Sequence, residues 1–155
     1  WATEAGALSR PVPRHLISGR PASAGTPGAI TLMGLLASAG GAWLSGFTAL
    51  ACYYMMGLLE PITWYSDALF WLPVAAALGG LAGTFIDSLL GGTAQGMYYC
   101  DHCHKPSESS LHYCGAAARQ VSGWRWLSNE GVNLVASLAS AAMTTSIVLL
   151  AHLAL

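Results

Sequence analysis

Four cysteine and histidine side chains in the second half of the chain have the spacing of metal ligands. Cys100 and Cys103 form a Cys-x-x-Cys pair, and His112 and Cys114 follow as a His-x-Cys pair. Three thiolates and one imidazole suit a tetrahedral zinc ion. Because four protein ligands leave no open coordination position, we predict that this zinc is structural. It would order a short segment that has no hydrophobic core of its own.

Three other interpretations of this segment remain open. His102 or His104 could replace His112 as the imidazole ligand. Residues 100–104 also match the attachment pattern of haem c, which requires the non-cytoplasmic side of a membrane. The cysteines could finally be unligated, reduced thiols.

A single carboxylate, Asp87, lies in the middle of an apolar, glycine-rich segment, residues 79–95. A helix here would place its small and polar residues on one face: Gly80, Gly83, Thr84, Asp87, Ser88, Gly91 and Gln95. Small residues at this spacing let a second helix approach closely. A carboxylate is costly in lipid, so Asp87 should face protein, water or a ligand. The alternative is a packing seam in which Asp87 caps a local break.

Two further segments could contact a ligand. The loop Gly25-Thr26-Pro27-Gly28 could offer backbone N–H groups to a phosphate, although many such loops are ordinary helix-entry turns. Asn133 would lie about one turn into the last apolar segment, where a buried amide needs a partner such as Asp87 or its ligand. Ser128 or Asn129 is predicted to cap the start of that helix.

The composition indicates that membrane helices position these side chains. Charged residues make up 8% of the chain, against roughly 25% in typical soluble domains, and hydrophobic residues make up 54%. Three segments are long and apolar enough to cross a bilayer: residues 29–59, 68–95 and 132–155. A net charge of -1 gives no basis for binding nucleic acid through bulk charge. We therefore predict an all-α, polytopic integral membrane protein with three transmembrane helices and a small Cys/His-rich loop insert.

The domain organisation follows from these spans. Residues 1–27 are predicted to form a loop at the membrane surface, and residues 28–155 the membrane domain, with the polar insert at 96–126. Three spans place the first loop and the insert on the same side, together with all 6 Lys and Arg residues. By the positive-inside rule this side is predicted to be cytoplasmic, which disfavours the haem interpretation.

The loop on the opposite side is short and carries no basic residue. Its charged residues are Glu60 and Asp67. Glu60 and Pro61 are predicted to end the first helix, and Trp64 and Tyr65 to lie at the membrane interface.

Four motifs occur in an order that resembles the transmembrane protein 19 family: residues 1–6, 25–29, 86–91 with Gln95, and 129–133. The plant plastid relative in that family is the phytyl-phosphate kinase of tocopherol synthesis. The Cys-rich insert is similar to that of bacterial members, so the expected location is a bacterial inner membrane. The resemblance corresponds to the C-terminal half of a family member. The remaining N-terminal helices, and a Gly-Asp-Thr motif before Trp1, are expected upstream.

The resemblance implies phosphoryl transfer from a nucleoside triphosphate, such as CTP, to an isoprenoid phosphate in membrane lipid. Asp87 and Glu4 would hold Mg²⁺, and Asn133 would orient a phosphate oxygen. Residues expected to contact the nucleotide or phosphate are Gly25, Thr26, Gly28, Ser88, Gln95 and Asn129. Because the upstream aspartate is expected to contribute, the 155-residue segment is predicted to be inactive alone.

The alternatives are a non-catalytic membrane scaffold and a transporter of lipids or small molecules. Polar residues that converge at one membrane mouth favour an enzyme. Polar residues distributed through the whole membrane thickness would favour transport.

Overall fold

The computed structural model describes residues 2–9, 11–23, 25–59 and 67–154. Its long helices are α2 (Leu32–Leu59), α3 (Leu72–Thr93) and α4 (Asn129–Ala154), and α3 is preceded by a 3-10 turn at Asp67–Trp71. All three are long and apolar enough to cross a membrane. The predicted helical membrane class is confirmed. The predicted helix stop at Glu60 and Pro61, and the interfacial Trp64 and Tyr65, lie outside the described residues.

The N-terminal segment was predicted to be a loop, but it contains regular structure. It begins with the short helix α1 (Ala2–Ala7), and the strands β1 (Arg14–His15) and β2 (Ala29–Ile30) pair antiparallel. This pairing explains why α2 begins at Leu32 and not at residue 29, since Ala29–Ile30 belong to the sheet. The hydroxyl of Thr31 then accepts a hydrogen bond from the Gly34 backbone N–H at 3.0 Å and caps the helix.

The Cys/His insert was also predicted to be a loop, and it instead forms a three-stranded antiparallel sheet. The strands are β3 (Met97–Cys100), β4 (Lys105–Ser107) and β5 (Arg119–Ser122), in the order β4-β3-β5. The central strand β3 follows directly from the end of α3, and two tyrosines, Tyr98 and Tyr99, give it the aromatic character that strands favour. Backbone pairing satisfies polar groups that a loop would leave to water.

Helix α3 lies between α2 and α4 and uses different small residues against each. On the α2 side, Gly80 contacts Ala42, and Gly46 of α2 lies so close to Pro73 that an added Cβ would approach its Cα to 2.8 Å. The Ser38 and Thr84 hydroxyls share a hydrogen bond across this seam.

On the α4 side, Gly79 and Gly83 contact the backbone of α4. An added Cβ on Gly79 would lie 2.7 Å from the Ser140 carbonyl oxygen, and one on Gly83 would lie 3.1 Å from that of Ala136. The prediction of one shared glycine face is therefore wrong: a central helix has two neighbours, and its glycines divide between them.

The N-terminal segment and the insert meet at one end of the long helices, as predicted. Gly28 has a positive φ of 79°, and a Cβ there would lie 2.6 Å from the Cα of Gly92, near the end of α3. Only glycine permits so close an approach. At the same end, Ala94, Leu127 and Val132 form a buried apolar cluster where α3, the insert and α4 join.

Candidate functional site

A cavity of about 630 Å³ opens at this end of the helices, and we refer to it as the first cavity. Its walls come from α1, the loop before β2, the first turn of α2, the last turns of α3, the insert and the start of α4. Seven of the predicted site residues line it: Gly25, Thr26, Gly28, Asp87, Ser88, Asn129 and Asn133. The structure therefore brings together residues separated by more than a hundred positions in sequence.

The polar groups of the first cavity come chiefly from α3 and α4. Asp87 is half-buried and Ser88 is only 7% exposed, whereas Asn133 is exposed and Asn129 is half-buried. Asp87 follows Thr84 by one turn, and the Thr84 hydroxyl donates to the Gly80 carbonyl at 2.9 Å. The seam hydroxyls are thus used within the helix pair, while the Asp87 carboxylate faces the cavity.

The N-termini of two long helices border the same cavity. Thr31 caps the start of α2, Gly34 lies in its first turn, and Asn129 is the first residue of α4. The Ser128 hydroxyl accepts from the Gly131 N–H at 3.3 Å, so the predicted cap of α4 is confirmed and Ser128 supplies it. Helix N-termini carry partial positive charge and unpaired N–H groups, which together favour a bound anion.

The loop at residues 25–28 has fewer free donors than its sequence suggests. The Thr26 N–H donates to the Ser23 carbonyl at 3.1 Å, and the Ala29 N–H donates to the Thr26 carbonyl at 3.0 Å. Pro27 has no N–H. A phosphate at this loop could therefore use the Gly25 and Gly28 amides and the Thr26 hydroxyl, which shares a 2.9 Å hydrogen bond with Ser23.

Glu4 does not line the first cavity, contrary to the prediction that it joins Asp87. Helix α1 presents Ala2, Thr3, Gly6 and Ala7 to the cavity, and Glu4 lies on a different, exposed face. The helical period separates Glu4 from this face because residues three and four apart align, as Ala2 and Gly6 or Thr3 and Ala7 do.

A different carboxylate, Glu108, lines the first cavity from the insert. Its role is not apparent from the sequence, because Glu108 is an exposed residue in a polar, serine-rich segment and its position depends on the sheet. Ala118 donates its N–H to the Ser110 carbonyl at 2.8 Å, which holds the segment after β4 against the rest of the insert.

Gln95 lies outside the lining of this cavity. It is 3% exposed, and its Nε2 is buried with no hydrogen-bond partner among the described residues. Its backbone N–H donates to the Leu90 carbonyl at 2.9 Å, and its backbone also pairs with Trp124. In this position Gln95 joins α3 to the insert.

The four predicted metal ligands come together in the insert. The sulfur and imidazole nitrogen atoms of Cys100, Cys103, His112 and Cys114 all lie within 4.8 Å of one another. Each of two turns ends in a cysteine followed by a residue of positive φ: His104 at 53° and Gly115 at 81°. This group could hold a metal ion, and it contains His112 in preference to His102 or His104.

The thiols of this group influence one another's ionisation. All of its cysteines are free thiols. A hydrogen bond with His112 Nδ1, at 3.1 Å, is the largest cause that lowers the pKa of Cys114 to about 6. The hydrogen bond to Cys114 in turn raises the pKa of Cys103 to about 11. Cys114 thus ionises readily, whereas Cys103 keeps its proton, and a metal ion that bound both would have to displace the proton from Cys103.

Comparison with known proteins identifies relatives of this chain. The sequence profile of the family described as "Integral membrane protein DUF92" matches residues 1–141. The chain is 34% identical over 147 residues to Protein PGR of Arabidopsis thaliana, an alignment that covers 94% of this chain and 48% of that protein. The chain thus spans about half the length of this relative. No solved structure matches this chain.

Proposed function

The chain belongs to the DUF92 family of integral membrane proteins, and on that premise we propose that the full-length protein transfers a phosphoryl group from a nucleoside triphosphate to an isoprenoid phosphate. The observation that carries this proposal is the meeting of Asp87 with two helix N-termini in the first cavity. Helix N-termini attract phosphate, whereas a carboxylate requires a cation. A phosphate accompanied by Mg²⁺ satisfies both.

The proposed roles follow from position. Asp87 is the Mg²⁺ ligand from α3, and the Asn129 and Asn133 amides orient phosphate oxygens from α4. The loop at residues 25–28 contacts a phosphate through its two glycine amides and the Thr26 hydroxyl. The bound Mg²⁺ would neutralise the negative charge on the transferring group, which together with positioning accounts for most of the catalysis of phosphoryl transfer.

The acceptor is proposed to enter from the membrane. The lining of the first cavity includes apolar side chains such as Ile30 and Leu35, which suit the first isoprene units of a lipid phosphate. Deeper in the bundle the polar side chains bond to helices: Ser38 pairs with Thr84, and the Thr144 hydroxyl donates to the Ala75 carbonyl at 3.4 Å. Polar side chains that face a cavity at only one end of the helices favour an enzyme over a transporter.

The substitution Asp87→Asn tests this function. It keeps the volume and the hydrogen-bonding capacity but removes the charge that binds Mg²⁺, so phosphorylation of an isoprenoid phosphate by CTP should fall by about two orders of magnitude or more. The assay uses full-length protein in detergent with Mg²⁺. Asp67→Asn, at the far end of the same span, is the matched control and should retain the wild-type rate. Equal rates for wild type and Asp87→Asn, at equal thermal stability, would end the assignment.

We also propose that zinc occupies the Cys/His group. We further propose that the end of the helices that carries the insert faces the cytoplasm, and that the membrane is the inner membrane in bacterial members. Three thiolates and an imidazole are the ligands of structural zinc. The basic residues Arg14, Arg20, Lys105, Arg119 and Arg125 all lie in the N-terminal segment or the insert. An impermeant thiol reagent should label Ser66→Cys in intact cells and Ser107→Cys only after permeabilisation. The reverse pattern would invert the topology.

A further inference from the structure

A second cavity, of about 440 Å³, lies between the insert and the start of α4. This volume is within the range of roughly 300–1,000 Å³ that small-molecule sites occupy. Glu108 and Asn129 line both cavities, so the two compartments are adjacent and these two residues lie between them.

The walls of the second cavity differ chemically from those of the first. Hydroxyl groups of Ser109 and Ser110 and the guanidinium of Arg125 line it, together with the carboxylates of Glu108 and Glu130. This lining suits a polar, phosphorylated molecule and offers little surface to an isoprenoid chain. The two carboxylates outnumber the one guanidinium, so this lining disfavours a bare polyanion. In a polyphosphate that carries a divalent cation, the guanidinium can pair with phosphate oxygens and the carboxylates with the cation.

Backbone hydrogen bonds fix the walls of this cavity in place. The Trp124 N–H donates to the Ala94 carbonyl at 2.8 Å, and the Gly96 N–H donates to the Leu127 carbonyl at 2.9 Å. These two bonds attach the segment that carries Arg125 to the end of α3. The Arg125 side chain is thus presented from a fixed backbone, and a bound phosphate would need to order only the side chain itself.

We propose that the second cavity binds the nucleoside triphosphate as its magnesium complex, while the first cavity binds the isoprenoid phosphate. This assignment rests on the proposed function and adds to it the place of each substrate. The transfer is placed at Glu108 and Asn129, which line both cavities. It requires the reacting atoms to come within about 3–3.5 Å of each other between these two side chains. Arg125 binds the polyphosphate. Its cation lies at the boundary between the cavities, where Glu108, which lines both, joins Asp87 of the first cavity as a ligand.

The step balances without a further reactant. An oxygen of the isoprenoid phosphate forms a bond to the γ-phosphorus, and the bond from that phosphorus to the β,γ-bridging oxygen breaks. The bridging oxygen keeps the electron pair and leaves on the nucleoside diphosphate. A proton carried by the acceptor phosphate passes to water, and the product is an isoprenoid diphosphate.

Steady-state kinetics of the full-length protein separate the two cavities. Arg125→Gln and Ser110→Phe, in the second cavity, should raise the KM for CTP about tenfold or more and leave the KM for the isoprenoid phosphate unchanged. Leu35→Trp, in the first cavity, should raise the KM for the isoprenoid phosphate alone. Arg119→Gln is the matched control, because Arg119 is an exposed arginine of the insert paired with Asp101 at 3.7 Å and outside both cavities.

Equilibrium binding keeps this inference distinct from the proposed function. Wild-type protein should bind the β,γ-methylene analogue of CTP in the presence of Mg²⁺, and Arg125→Gln should weaken that binding about tenfold while Arg119→Gln does not. Unchanged analogue affinity and CTP KM in both second-cavity variants would overturn the assignment and leave the transferase intact. Analogue binding that depends on Arg125, without any turnover, would uphold the cavity and reject the proposed reaction. No binding by wild type would reject the cavity.

Discussion

The three long helices pack through glycines that lie against a neighbouring helix, whereas the insert consists of paired strands and four Cys and His side chains that could hold a metal ion. Gly79 meets the backbone of α4 at Ser140, and Gly46 meets that of α3 at Pro73. The insert buries few large side chains, and its buried residues include Cys100 and His112, both members of the Cys/His group. Different interactions therefore stabilise the two regions.

This difference follows from the solvent of each region. Helices that associate within lipid remove no apolar surface from water, so the hydrophobic effect does not drive their association. Close packing of small residues and interhelical hydrogen bonds stabilise the helix pairs instead. The insert lies outside the apolar spans and is too small to bury much apolar surface. A metal ion held by its Cys/His group would therefore add the order that apolar packing does not supply. The first cavity lies where the two regions meet, and it takes Asp87 from one and Glu108 from the other.

Loss of the metal ligands should have the largest effect, and it should be confined to the insert. Protein with Cys100→Ser and Cys103→Ser should lose its zinc, about one ion per chain, because two of the four ligands are removed. The insert should then lose order, because structural zinc contributes on the order of 10 kcal/mol to small folds that bind it. Metal analysis measures the zinc, and limited proteolysis should show cleavage within the insert. Cys52→Ser, on α2, is the control and should retain the ion. Zinc-free wild type prepared without chelators, or loss of the helical circular dichroism in the variant, would contradict the comparison.

Substitution of alanine for glycine should distinguish the glycines that pack against a neighbouring helix from those that face open space. Gly79→Ala places a Cβ against the Thr144 hydroxyl and the Ser140 carbonyl, and should destabilise the helices by roughly 1–3 kcal/mol. Gly40→Ala, on α2, places its Cβ in open space and should be neutral or stabilising by up to about 1 kcal/mol. Unfolding of the purified protein in a titration with sodium dodecyl sulfate measures both. Similar midpoints for the two variants would remove the role assigned to glycine packing.

The smallest effect is expected for the surface ion pair of the insert. Arg119 and Asp101 are separated by 3.7 Å, and their side chains are 64% and 67% exposed, so water screens their attraction. Arg119→Gln should lower stability by less than about 1 kcal/mol. Thermal unfolding and zinc content should match those of wild type. A marked loss of either would mean that ion pairs, and not the Cys/His group and strands alone, order the insert.

The local features of this chain were predictable because each depends on a short stretch of sequence. The three spans follow from apolar length, and the cap of α4 follows from Ser128 immediately before the helix. The spacing of Cys100, Cys103, His112 and Cys114 likewise indicated ligands that the structure places together. The sheet of the insert was missed, because its strands are only three or four residues long and pair through backbone atoms.

The amino-acid sequence by itself determined the helical membrane class, the shared end of the N-terminal segment and the insert, and the residue types available for chemistry. Only the tertiary structure decided which of those residues meet: it divides the glycines of α3 between two neighbours, turns Glu4 away from the first cavity and brings Glu108 into it. The physical reason is that helical periodicity fixes which residues share a face of one helix. The number of neighbours, and the segments that close a cavity between them, depend on contacts between distant parts of the chain.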